Sequence, residues 1–160
     1  MLFKKIKKIP FKNVDACLRQ VKKNSFTSPW IENIFIKKKK IKYSNYKNLE
    51  IHRVKLKNLN FKKPTKLKIV YKKFKKLNYE LISPEIALYL RLIYKNQPKG
   101  EWLRISVPFD SMIDSDGVPH LPKLGRALGK NFIETYWSYP DAIFHPHNDF
   151  LVMRYVDKIK

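Results

Sequence analysis

Ser83-Pro84-Glu85-Ile86-Ala87-Leu88-Tyr89-Leu90-Arg91-Leu92-Ile93-Tyr94, followed by Trp102-Leu103-Arg104-Ile105-Ser106-Val107, is the stretch on which the fold turns. Its first part opens with a hydroxyl at the N-cap, a proline at the first helical position and an early acid. Because its side chains are apolar on nearly every side, it is expected to be a core helix, ending near Asn96 ahead of Gln97-Pro98. The second part alternates, with Leu103, Ile105 and Val107 on one side, and stops at Pro108 as a strand does. A helix and a strand of such different period, so close together, predict a mixed α+β domain.

Toward the N-terminus, Phe11, Val14, Leu18 and Val21 recur at helical spacing and Lys22-Lys23-Asn24 suits a helix end. Ser28-Pro29-Trp30-Ile31-Glu32 repeats the helix-start pattern and runs into Lys37-Lys38-Lys39-Lys40, of which dipole capping explains one or two. Leu49 to Leu59 alternates in two phases, Leu49 and Ile51 against Val54 and Leu56, which predicts a bulged strand. After Pro64 a helix gathers Leu67, Val70, Tyr71, Phe74, Leu77 and Asn78 on one side, with Lys68, Lys72, Lys73, Lys75 and Lys76 opposite and Ile69 misplaced. A strand over Leu67 to Tyr71 is the alternative.

Toward the C-terminus, Asp114-Ser115-Asp116-Gly117 reads as a turn, Leu121 to Trp137 as a helix weakened by Gly125 and Gly129, and Phe150 to Val156 as a strand. There is no internal repeat or long linker. The expected architecture is a basic N-terminal extension with short helices over 1–48 and an α+β globular domain over 49–160, with a near-neutral C-terminal half.

The 160 residues, 44% of them hydrophobic, suffice for one folded body and exclude an all-polar disordered tail. The single Cys17, on an apolar helical face, excludes an intramolecular disulfide framework and a thiolate zinc site. The net charge of +22 is unevenly spread: residues 1–80 carry 25 basic and 4 acidic side chains, residues 81–160 carry 10 and 9. Phe, Tyr, Met, Ile, Asn and Lys total 78 against 24 for Gly, Ala, Arg and Pro, the imprint of A+T-rich coding. That bias explains lysine over arginine, but not acids scarce in the first half alone. Such a field repels itself unless a polyanion supplies counter-charge, with nucleic acid first and an anionic membrane surface second. No apolar run is long enough to span a bilayer. The acid-poor start, Met1 to Ile9, has the look of an import sequence but is lysine-rich, and reads as an uncleaved, ordered arm held by something anionic.

Catalytic motifs are weak. His145, His147 and Asp149 have a spacing that permits a divalent metal, but Pro140 and Pro146 make a polar loop the preferred reading. Asp110, Asp114, Asp116 and Gly117 fail as a calcium loop because Met112 and Lys123 stand where acids are needed. Gly125 to Asn131 is one residue short of a P-loop and lacks its hydroxyl. No nucleophile elbow is present, and neither a metal nor a cofactor is expected.

What remains is lysine interleaved with aromatics. The expected nucleic-acid contacts are Lys4, Lys5, Lys7, Lys8, Lys37, Lys38, Lys39, Lys40, Lys42, Arg53, Lys62, Lys63, Lys66, Lys72, Lys73, Lys75 and Lys76. Tyr43, Tyr46 and Phe61 are the stacking candidates, while Tyr71 and Phe74 fall on the core side. No RRM, KH or zinc-module signature occurs. This pattern predicts a non-enzymatic structural RNA-binding protein of a ribosome, holding rRNA through its basic half and neighbouring proteins through its neutral half. Coding bias and the lysine-rich start favour a mitochondrial ribosome. The alternatives are a metal-dependent nucleic-acid-processing enzyme using His145, His147 and Asp149, and a basic accessory subunit of an organellar membrane complex.

Overall fold

The structure, a computed structural model, describes residues 1–156. It is a mixed α+β fold: four α-helices packed on a seven-stranded sheet, with a separate two-stranded ribbon, among the described residues. In chain order the strands are β1 (Leu2–Lys8), β2 (Phe26–Thr27), β3 (Lys47–Lys55), β4 (Thr65–Lys66), β5 (Trp102–Ile105), β6 (His120–Ala127), β7 (Lys130–Trp137), β8 (Ile143–Phe144) and β9 (Asp149–Tyr155). The helices are α1 (Val14–Asn24), α2 (Pro29–Phe35), α3 (Leu67–Lys76) and α4 (Pro84–Ile93). The sheet order is β1-β3-β9-β5-β6-β7-β2, with β5–β9 and β2–β7 parallel and the other pairs antiparallel; β4 and β8 form the ribbon.

Three of the four helices, α1, α2 and α4, begin where local chemistry places them. Asn13 caps α1 by accepting from the Ala16 amide, and Ser28 caps α2 by accepting from the Trp30 amide. Pro29 and Pro84 occupy first-turn positions in which no amide donor is needed. α1 buries Val14, Cys17, Leu18 and Val21 along one stripe, and α3 buries Leu67, Val70, Tyr71 and Phe74 with its lysines outward and Ile69 exposed. Burial pushes the Cys17 thiol up to about 11, so it is an inert core group.

Cross-strand partners project to the same face, which fixes the layers. Leu49, Ile51, Leu103, Ile105, Leu124, Ile133 and Leu151 share the face packed by α1, α2 and α4 and are fully buried. On the other face, ring contacts of Phe74 and Phe144 with Phe150, at 5.7 and 5.1 Å, seat α3 and the ribbon over β9.

Three expectations change. The helix read over Leu121 to Trp137 is instead the β6–β7 hairpin. Its two-residue turn places Leu128 at φ 51° and Gly129 at φ 72°, the pair of positive values that a tight hairpin requires. Gly125 leaves room for a side chain from the next strand: a Cβ there would fall inside the Trp102 indole, which lies across it from β5. The second change is in β3, which pairs with β9 without a slip; the bulge lies in β1, between Leu2 and Lys4. The two apolar phases of β3 reflect burial on both faces, with Leu49 and Ile51 on one and Val54 on the other.

The third concerns residues 1–48. The reading of a basic extension ahead of a 49–160 domain does not describe where they lie, because this segment supplies both edge strands of the sheet, β1 and β2, and α1 packs on α4. The Met1–Ile9 arm contains strand β1, Leu2–Lys8, which is paired to β3 and flanked by the buried side chains of Ile6 and Ile9.

Arg91, 1% exposed, ties α4 to the hairpin by donating to the Gly125, Phe132 and Tyr94 carbonyls and to Gln97 Oε1, at 2.6–3.2 Å. Gln97 in turn donates to the Glu101 and Leu124 carbonyls. Replacing Arg91 with alanine strands these acceptors, so urea denaturation should show a loss of roughly 2–4 kcal/mol. Leu128, 87% exposed, has no packing to lose. Leu128→Asn, better suited to the left-handed turn, should raise the urea midpoint by a gain of about 1 kcal/mol.

Candidate nucleic-acid interface

The sheet sorts the expected lysines into two groups. Lys5 and Lys7 project to the α3 side, since Lys5 pairs with Glu50 and Ile6 with Leu49. Lys62, Lys63 and Lys66 lead into α3, and Lys72, Lys75 and Lys76 line its exposed side, with Lys73 half-buried. Lys37, Lys38, Lys39, Lys40 and Lys42 belong to the other layer: Lys37 and Lys38 lie in a 3₁₀ turn after α2, and this loop is pinned to α1 by the Val14 and Asp15 amides, which donate to Ile41 and Lys39. Lys4 lies on that side also, its Nζ 5.8 Å from the Tyr94 ring. Lys8 and Lys42 rim a cleft of about 500 Å³ with Lys12 and Lys47.

Few of these charges are neutralised internally. Lys66 and Lys68 reach Asp141 at 3.5 and 3.0 Å, which holds that carboxyl below its ordinary value. Among the described residues, no carboxylate lies within ion-pair distance of Lys5, Lys7, Lys62, Lys63, Lys72, Lys73, Lys75 or Lys76 on the α3 side, or of Lys37 to Lys40 on the other.

Four expected contacts are corrected. Arg53 is half-buried and spent, donating to Glu101 at 2.8 Å and Asp149 at 2.7 Å. Tyr43 is 1% exposed, and its hydroxyl donates to the Glu85 carbonyl at 2.8 Å, so no base reaches its ring. Tyr46 donates to Glu85 Oε2 at 2.9 Å, and burial pushes its hydroxyl up to about 12; together the two tyrosines staple the 41–48 loop to the start of α4. Phe61 is half-buried against the core. Tyr43 and Tyr46 border the lysine-rimmed cleft, but their hydroxyls are engaged by Glu85.

The expected histidine constellation is split. The His145 and His147 rings stack on each other at 5.5 Å, while the Asp149 carboxylate faces Arg53 and Lys55. Among the described residues no group of three metal-binding side chains converges.

No protein family, curated protein or solved structure matches this chain. Its functional reading therefore stands on geometry and charge alone.

Two features were not read from the sequence. One is a dyad in the cleft between α2 and the hairpin, where His120, 3% exposed, donates from Nε2 to Asp114 Oδ2 at 2.8 Å and meets the Thr135 hydroxyl through Nδ1 at 3.0 Å. Trp30 stacks on the imidazole at 5.5 Å, so both nitrogens face internal partners and the ring is covered. This pins the 108–119 loop. The other is a row of aromatics on the hairpin's opposite face, Trp102, Phe132 and Phe26, with Tyr136 nearby. No alternation in β6 announces it, because β6 is buried on both faces over much of its length, and Phe26 and Trp102 join it only through strand pairing.

Asp114 sits below its ordinary 3.8, first because His120 donates to it and then because the Val118 and Asp116 amides do. Its contribution to stability is present above 3.8 and is lost as pH falls through the lower folded value. Asp114→Asn should lower the thermal midpoint at neutral pH, and scans at descending pH should show a shallower acid loss than in wild type.

Proposed function

We propose that this chain is a structural RNA-binding protein, a component of a ribosome, that grips rRNA through lysine side chains and has neighbouring proteins among its partners. The observation that carries this reading is the α3 side of the molecule, where Lys5, Lys7, Lys62, Lys63, Lys72, Lys75 and Lys76 stand exposed with no carboxylate among the described residues to answer them. Lysines held on a strand and a helix neutralise phosphates at fixed positions without reading sequence, which suits a body seated in folded RNA. Lys37 to Lys40 give the opposite layer a second grip, so the body can bridge two RNA segments. Bidentate base readout has no counterpart here, since arginine is rare and five of the six have partners within the protein. Arg53 and Arg91 are engaged inside it, Arg19 meets Asp15, Arg126 meets Asn131 and Arg154 meets the Leu77 carbonyl. The A+T-rich coding pattern favours an organellar particle, that of the mitochondrion. Among the described residues no helix is long and apolar enough to cross a membrane.

The test is co-sedimentation with ribosomal subunits across a salt gradient, with release at high salt expected. Changing Lys72, Lys73, Lys75 and Lys76 together to glutamine should weaken binding to unrelated RNA sequences alike. It should also flatten the salt dependence by roughly 0.7–0.9 for each phosphate that is no longer neutralised, while circular dichroism stays unchanged. Affinity that ignores both salt and these lysines would overturn the reading.

A further inference from the structure

The hairpin brings four positions into one transverse register: Trp102 on β5 opposes Gly125 on β6, Gly125 opposes Phe132 on β7, and Phe132 opposes Phe26 on β2. All four project to the same face. The result is a continuous band of rings, with Phe26 and Phe132 centroids 5.1 Å apart and Phe132 and Trp102 centroids 6.4 Å apart. Gly125 makes the band shallow, because only a residue without a side chain lets the Trp102 indole lie across β6. The exposure is selective. Phe35, Phe74, Phe144 and Phe150 are fully buried, whereas Phe26 is 50% exposed and Trp102 and Phe132 are only half-buried.

Cations flank this band on both sides. One register step toward the strand ends in β6 and β7 lies exposed Lys130, and one step the other way lie Arg104 and Lys123, the latter with Nζ 4.8 Å from the Trp102 centroid. The one acid in that row, Glu134, is answered by Lys123 at 3.9 Å. Beside Phe26 a cleft of about 400 Å³ is lined by Lys23, Arg126 and Lys130, without any acid.

We propose that the Trp102–Phe132–Phe26 band is a stacking surface for an unpaired RNA segment, with Lys130, Lys23 and Arg126 receiving its phosphate beside Phe26. This rests on the RNA-binding reading and adds the form of RNA that this face takes. Rings 5.1 and 6.4 Å apart across neighbouring strands can each take one splayed base, and every base offers a π-face whatever its sequence. A duplex hides its base faces and presents phosphates, so it gains nothing from the band. The lysines of α3, which lack aromatic neighbours on their exposed side, supply the complementary duplex-tolerant grip. The positive rim matches the charge of such a strand and opposes a basic partner.

The experiment uses the full chain with two probes at matched salt, an oligouridylate and an RNA duplex of equal length. Phe26 lies in a two-residue edge strand, so Phe26→Ala leaves the core intact. It should weaken oligouridylate binding by roughly 5- to 100-fold, the effect of removing one base–ring stack, and leave the duplex unchanged; Phe26→Trp should restore binding. In a Trp30→Phe/Trp137→Phe background, oligouridylate but not duplex should quench Trp102 emission. Salt-sensitive binding that ignores Phe26→Ala, or a loss equal for both probes, overturns this inference and leaves the RNA-binding reading standing. Failure of wild-type protein to bind either probe overturns both.

Discussion

A guanidinium without a carboxylate partner sits between α4 and the β6–β7 hairpin. Enclosing a charge costs several kcal/mol unless hydrogen bonds replace its water. Arg91 meets three backbone carbonyls and an amide oxygen, and burial still lowers it to about 10 from its ordinary value. Arginine suits this place because its planar fork donates in several fixed directions and stays charged at neutral pH. Two of the carbonyls belong to Gly125 and Phe132, so the same contact that docks the hairpin on the core helix also fixes the backbone beneath the aromatic band. The geometry of the outer face is set from inside.

The elements legible in the sequence are those whose local chemistry is self-sufficient. A capping side chain, a first-turn proline and a 3.6-residue stripe specify α1 to α4 without reference to anything distant, and Trp102 to Val107 alternates because one of its faces packs against helices. The hairpin was opaque for the opposite reason. β6 is buried on both faces over much of its length, so Leu121, Pro122, Leu124 and Gly125 all lie inside and the period of two disappears. Pro122 further disguises a central strand; it is tolerated because the β5 pairing ends at Lys123. Leu128 takes a left-handed conformation that its type disfavours, a choice enforced by the flanking ladders.

Charge was legible in amount and misleading in layout. The lysine excess over 1–80 is plain from counting, but the chain interleaves its two halves: β3 lies between β1 and β9, and β2 closes the sheet beside β7. A boundary drawn along the sequence therefore has no counterpart in space. The candidate stacking residues failed for a related reason. Tyr43 and Tyr46 lie beside lysines in sequence, yet their hydroxyls find Glu85, and the Tyr43 ring is buried. Phe26 and Phe132, which do reach the surface in part, come from segments far apart in the chain and meet only through a parallel strand pair.

That both rims of the sheet come from the first 48 residues matters for how the polypeptide is made. β2 emerges early in synthesis but has no mate until β7 is translated about a hundred residues later, so the nascent chain carries an unsatisfied strand through most of its elongation. Long-range pairing of this kind is slow and exposes the growing chain to misassociation. Like positive charge around that segment opposes the pairing of its open edge with a second copy.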